Sequence, residues 1–204
     1  DMDSCLIQDE QHQNIMNYVK HWFNELNMSI YDEKNKRGLM RHLVIRTGYH
    51  TDEIMVIFVT NGKKFKNANV LVQKLISEFP NITSIKQNIN DTHSNVIMGP
   101  QSVTLYGKDK IVDELSEVTF NISDQSFYQI NSAQTEKLYQ KAIDYAQLTG
   151  EEIVLDTYCG IGTIGLYMAP QAKHVYGVEV VPSAIKDAQE NLSLIHISEP
   201  TRPY

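Results

Sequence analysis

Apolar positions along the first half of the chain follow two rhythms. Ile15, Val19, Trp22 and Leu26 recur every three or four residues, so they share one stripe and predict an amphipathic helix over 10–27. Leu71, Leu75 and Phe79 repeat that spacing and predict a second helix over 67–79, with Pro80 as its stop. Between the two helices, 40–47 and 53–60 are rich in Val, Ile and Phe and read as strands. Further short strands are expected over 82–90, 102–106 and 110–122, the last from the alternation in VTFNI (118–122). Strands and helices mixed in this way predict an α+β domain over 1–123.

The rhythm changes near Asp124. Residues 131–148 read as a helix, which Asn131 or Ser132 can cap by accepting a hydrogen bond from a first-turn amide. A strand IVLD (153–156), a glycine loop, a helix to about 169, a strand over 174–180 and a helix from Pro182 to about Leu192 follow. Pro182 suits a first helical turn, where its missing N–H is not needed. This β-α-β-α order opens a doubly wound parallel sheet, so the chain as a whole reads as α/β with 124–192 forming the start of a Rossmann-like domain. Two strands of such a sheet leave an open edge and an uncovered apolar face, from which aggregation or instability is expected.

Composition narrows the function. The 204 residues are 42% hydrophobic and 21% charged, ordinary for a chain that buries a core. No apolar run reaches the ~20 residues of a membrane span, and no secretion leader opens the chain. Two distant cysteines, Cys5 and Cys159, make no disulfide framework and point to a reducing cytoplasm. The net charge of −7 argues mildly against nucleic-acid binding. Two basic clusters run against that average: Lys34, Lys36, Arg37, Arg41 and Arg46 within 33–46, and Lys63, Lys64 and Lys66. Each also fits a simple solvated face. The seven histidines show no metal-ligand spacing, so no metal site is expected.

The glycine loop carries the candidate chemistry. In DTYCGIGTIGL (156–166), Gly160, Gly162 and Gly165 stand in G-x-G-x-x-G spacing after a strand and before a helix. A dinucleotide pyrophosphate at the helix N-terminus is one reading. Two acids disfavour it: Asp156 ends the first strand and Glu179 lies near the end of the second. That pair suits a ligand with a ribose and a cationic amino-acid end, namely S-adenosylmethionine. Glu179 would accept from the ribose hydroxyls as a bidentate acceptor, and a carboxylate near the loop would complement the positive charge.

DTYCGIGTIGL together with GVEVVPSAIKDAQEN (177–191) and SDQSFYQIN (123–131) resembles the RNA (uracil-C5)-methyltransferase family, with three motifs in the right order and spacing. The resemblance runs over about residues 1–192 and is nearest to bacterial members acting on 23S ribosomal RNA, with transfer RNA the less expected substrate. It implies that Gln129, Tyr158, Thr163 and Glu179 contact the cofactor, Thr163 at a position where some relatives carry Asn. It also implies that 1–123 is an RNA-contacting central domain, with the segment 34–46 available to phosphate backbone.

The family's reaction needs a cysteine thiolate that adds to uracil C6 and a base that removes the C5 proton. Both lie downstream in the family, so Cys159, beneath the cofactor loop, reads as a small packing residue and no catalytic residue is assigned. Members with a 4Fe-4S cluster take one ligand from a cysteine placed like Cys5, with the others upstream. The chain opens on Asp1, and SLIHISEPTRPY (193–204) resembles a translated sequencing adapter. The expectation is therefore an internal fragment with a non-native tail over 193–204, lacking the N-terminal RNA-binding barrel, the nucleophile and the base. The alternative to an enzyme is a non-catalytic module that binds S-adenosylmethionine or RNA.

Overall fold

The computed structural model describes residues 9–194. Cys5 and most of the expected non-native tail lie outside those residues. The chain forms two compact units. One runs through Thr47 and from Asp52 to Ile111; the other takes Gly48–Thr51 and the chain from Val112 onward.

The first unit opens with α1 (Glu10–Glu25), whose N-terminus Asp9 caps by accepting from the Gln11 amide at 2.7 Å. Strands β1 (Met40–Thr47) and β2 (Ile54–Thr60), helix α2 (Ala68–Glu78), and strands β3 (Ile82–Ile89) and β4 (Gln101–Gly107) follow. They form a four-stranded sheet in the order β1-β2-β3-β4. β2 pairs antiparallel with β1 and parallel with β3, α2 supplying the crossover that a parallel pair requires. β4 returns antiparallel to β3. Every residue of β2 is buried, which explains its uninterrupted apolar run IMVIFVT. Ile54, Val56 and Phe58 meet Ile15, Val19 and Phe23 of α1 and Leu71, Val72 and Leu75 of α2 in one core. The helix stripe read from the sequence is therefore centred on Phe23, with Trp22 and Leu26 at its partly buried margin.

The second unit contains β5 (Ile111–Leu115), β6 (Val118–Ile122), α3 (Ser132–Ala146), β7 (Ile153–Asp156), α4 (Thr163–Met168) with a 3₁₀ turn at Ala169–Gln171, β8 (His174–Gly177) and α5 (Pro182–Leu194). The single strand expected over 110–122 is two, paired with each other and broken at Ser116, which turns with φ +53°. Asn131 is the cap of α3 and accepts from the Gln134 amide at 3.0 Å, while Pro182 opens α5 as anticipated. β7 and β8 pair in parallel from Ile153↔His174 to Asp156↔Gly177. The second strand was expected to reach 180. It stops at Gly177 because β7 ends at Asp156 and the chain beyond turns around the carboxylate of Glu179.

Candidate functional site

The site is assembled where β7 and β8 end. Asp156 closes β7, and the chain then turns through Gly160 and Gly162, with φ +55° and +88°, before α4 starts at Thr163. A side chain is strained at either angle, and a Cβ on Gly162 would press the Leu166 side chain at 3.1 Å. A Cβ on Gly160 would meet nothing within 4 Å, so that backbone faces open space a ligand can approach. Gly165 has a different task. A Cβ there would lie 3.2 Å from Asp156 Oδ2 and 3.4 Å from Val175 Cγ1, so its bareness lets α4 pack on the strands.

Hydrogen bonds tie the two strand ends together. The Val178 amide donates to Asp156 O at 2.8 Å, and the Cys159 amide donates to Val178 O at 3.1 Å. The Gly160 amide donates to Glu179 Oε2 at 3.1 Å, so the acid of the second strand grips the glycine turn of the first. Glu179 Oε1 also accepts from the amides of Val180 at 2.7 Å and Val181 at 2.9 Å. These amides, Val181 and Val180 ahead of Gly160, hold its carboxyl below the usual carboxylate range. A carboxylate has about four acceptor positions. Three are filled, which leaves one open beside the turn.

Asp156 behaves in the opposite way. Burial pushes its carboxyl up, the amides of Tyr158 and Gly165 oppose this, and the charge of Glu179 adds to the rise. Its Oδ2 is buried without a hydrogen-bond partner. From Ile153 to Ala172 the sequence has no Lys or Arg. Two carboxyl groups at a glycine turn whose own segment carries no cation form a poor cradle for pyrophosphate and a good one for a ligand carrying positive charge.

Cys159 sits inside this constellation without the surroundings of a nucleophile. Burial raises its thiol, and the carboxyl groups of Asp156 and Glu179 raise it further. A Cβ on Gly177 would touch its sulfur at 3.0 Å, so the thiol fills the space that glycine leaves. Both effects disfavour the thiolate, the form in which a cysteine attacks.

The other residues singled out from the sequence are placed differently. Tyr158 projects from the turn with 89% of its surface exposed. Thr163, first in α4, spends its hydroxyl on Tyr139 of α3 at 3.0 Å. Gln129 is half-buried in the segment between β6 and α3, and no hydrogen bond joins its side chain to the glycine turn among the described residues. The structure thus joins Glu179 to the turn directly, while Gln129 arrives from a separate segment.

That segment is fixed by three buried polar residues that sequence reasoning missed. Asp187 Oδ2 accepts from the hydroxyls of Ser123 at 2.7 Å and Ser126 at 2.9 Å. Asn191, one turn further along α5 and fully buried, accepts from the Asn121 amide at 2.8 Å and donates to Ile161 O at 3.1 Å. It therefore holds β6 and the glycine turn at once. Asp113 of β5, also fully buried, accepts from the Tyr128 hydroxyl at 2.9 Å and the His50 amide at 2.8 Å. Burial, and then the charge of Asp113, push the Tyr128 phenol far up. The four-residue spacing of Asp187 and Asn191 on a helix was the available signal.

Residues 102–199 match the family model described as tRNA (Uracil-5-)-methyltransferase. An uncharacterized RNA methyltransferase of Staphylococcus epidermidis is 79% identical over 191 residues, covering 94% of this chain and 42% of the relative. One of Staphylococcus aureus is 74% identical over 194 residues, covering 95% of this chain and 43% of the relative. The chain therefore spans less than half the length of the curated relatives it matches. Among solved structures, the Pyrococcus abyssi tRNA (uracil-54, C5)-methyltransferase in complex with S-adenosyl-L-homocysteine superposes with a TM-score of 0.80 at 28% identity, over 95% of this chain and 46% of that one.

Proposed function

We propose, from the match of residues 102–199 to the tRNA (uracil-5-)-methyltransferase family model, that the glycine turn of this chain holds S-adenosylmethionine for methyl transfer to C5 of a uridine in RNA. The observation that carries this reading is the bond from the Gly160 amide to Glu179 Oε2. It sets an ionised carboxylate beside a backbone that faces open space, with Asp156 closing the preceding strand and no Lys or Arg in the segment 153–172. The open acceptor position of Glu179 takes a ribose hydroxyl. Tyr158 offers an exposed ring on which the adenine or methionine part can lie, and Gln129 a half-buried side chain able to donate and accept. Thr163 contributes through its backbone, since its hydroxyl is engaged by Tyr139.

The bound cofactor supplies an electrophilic methyl group. Uracil C5 becomes nucleophilic enough to take it once a cysteine thiolate has added at C6; a base then removes the C5 proton and the thiolate leaves. We assign that nucleophile and base to the remainder of the longer relatives' length, because the Cys159 sulfur fills the space beside Gly177 under two carboxyl groups. The substrate we favour is 23S ribosomal RNA, which together with the cofactor implies work in the cytoplasm. Among the described residues no helix is long and apolar enough to cross a membrane.

Titration calorimetry of the chain with S-adenosylmethionine, S-adenosylhomocysteine and NAD tests the pocket. Heat from the first two and none from NAD is the expected result, and NAD binding would overturn the assignment. Labelled methyl transfer by the whole protein to unmodified 23S ribosomal RNA and to transfer RNA then separates the two substrates.

A further inference from the structure

Asp113 stands in the middle of β5 with no exposed surface, and donors from three separate places in the sequence meet its carboxylate. Oδ1 accepts from the His50 amide at 2.8 Å. Oδ2 accepts from the Tyr128 hydroxyl at 2.9 Å and from the Ser132 hydroxyl at 3.5 Å. A carboxylate suits this place because both its oxygens only accept, whereas an amide would turn an N–H toward one of the donors.

The two donors on Oδ2 are the ends of one short loop. Tyr128 enters it with its ring 6.2 Å from that of the fully buried Phe120. Ser132, 2% exposed, leaves it as the first residue of α3. Asn131 is fixed as the cap: its side chain accepts from the Gln134 amide, and its carbonyl accepts from the Thr135 hydroxyl at 2.8 Å. Between these anchors stand Gln129, half-buried, and Ile130, 98% exposed. One buried carboxylate thus closes the loop at both ends and presents the residue assigned above to the cofactor.

The other oxygen is braced from elsewhere. Gly48–Thr51 join β1 to β2 yet belong to the second unit. Besides the His50 amide on Asp113, His50 Nδ1 donates to Glu114 O at 2.7 Å and the Thr51 hydroxyl donates to Val112 O at 2.5 Å. A Cβ on Gly48 would collide with the Val112 carbonyl, so the bare residue lets this turn lie against β5. The turn therefore holds Val112, Asp113 and Glu114 in succession.

We infer that Asp113 is a positioning residue for the cofactor: gripping Tyr128 and Ser132 on one oxygen and the His50 amide on the other, it sets where Gln129 is presented, with the turn 48–51 as its fixed support. The inference deepens the S-adenosylmethionine reading and rests on it. With no exposed surface, Asp113 acts through Gln129. A side chain placed beforehand loses less freedom when the ligand arrives.

Tyr128→Phe keeps the ring against Phe120 and deletes one donor. Titration calorimetry of the chain with S-adenosylhomocysteine should then show affinity lowered on the order of fivefold, the size of one buried hydrogen bond. In a Gln129→Ala background the same substitution should cost less than about twofold, because the side chain to be positioned is gone. Asp113→Asn should follow the same pattern with a larger loss, about tenfold. Gly48→Ala, which forces the turn off β5, should lower affinity on the order of threefold, again only where Gln129 is present. Equal losses with and without Gln129, or a lower melting temperature with affinity intact, would overturn the inference. Hydrogen exchange over 128–132 reads the positioning without the cofactor, and Tyr128→Phe should quicken it on the order of fivefold. If the unsubstituted chain took up no S-adenosylhomocysteine while this quickening appeared, the function proposed above would fail and the grip of Asp113 would stand. Unchanged exchange would overturn the grip itself.

Discussion

β2 and β7 are both apolar strands, and they sit in contrasting surroundings. β2 is buried at all seven positions and paired on both edges, with Ile54, Val56 and Phe58 packed on two helices. β7 pairs on one side with β8, and its Ile153 and Leu155 remain 66% and 61% exposed. The core of the first unit is apolar, built from α1, α2 and β2. The second unit, which carries the glycine turn, also relies on buried polar residues, of which Asn191 grips β6 and the turn and Asp113 grips Tyr128 and His50. Burial of apolar surface tolerates small displacements, whereas a buried hydrogen bond fixes a position. A cofactor loop needs the latter.

The contrast is broken most directly by truncating each strand. Phe58→Ala removes a fully buried ring and should cost about 3–5 kcal/mol, read as a large fall in the melting temperature. Leu155→Ser should stay within about 0.5 kcal/mol. If the two melted alike, the division of labour would be wrong. Next in size is Asn191→Leu, which orphans the Asn121 amide and Ile161 O and should cost about 1–3 kcal/mol, accompanied by weaker binding of S-adenosylmethionine. Loss of stability with the cofactor still bound at full strength would remove Asn191 from the turn's support.

Glu179→Gln sharpens the comparison on the chemical side. The melting temperature should hardly move, while cofactor affinity falls on the order of tenfold, the size of one charge-assisted hydrogen bond. The folded carboxyl titrates below its ordinary 4.5, so its contribution is complete above that value and is lost only as pH falls through the depressed one. Affinity measured from pH 8 to pH 5 should therefore stay flat in this respect, and a decline within that window would place the titrating group elsewhere. The smallest effect belongs to Cys159→Ala, at under about 1 kcal/mol. With its thiol above the usual 9.0, the wild-type cysteine should react slowly with iodoacetamide at neutral pH.

Much of this was legible in the chain. Elements that bury a stripe or a continuous run declare themselves by period, as α1, α2 and β2 do. The glycine turn declares itself because strand, loop and helix must follow in that order to present its backbone. The break at Ser116 was legible in principle: apolar spacing of two holds from Val118 to Ile122, but Leu115 to Val118 is three, and a strand cannot keep both on one face. The roles of Asp113, Asp187 and Asn191 were not legible, because their partners are distant in sequence; the spacing of Asp187 and Asn191 marks one helix face without saying what it meets. Nor was the occupancy of Glu179, whose three amide donors exist only once the turn has formed.

Sealed on both flanks and both faces, β2 also fixes a clock for the molecule. Its backbone protons exchange with deuterated water only when the whole first unit opens, whereas those along the unpaired edge of β7 escape through brief local excursions. Transferred to heavy water, the chain should lose its protium from β7 and the glycine turn before β2, and keep its last protons along IMVIFVT.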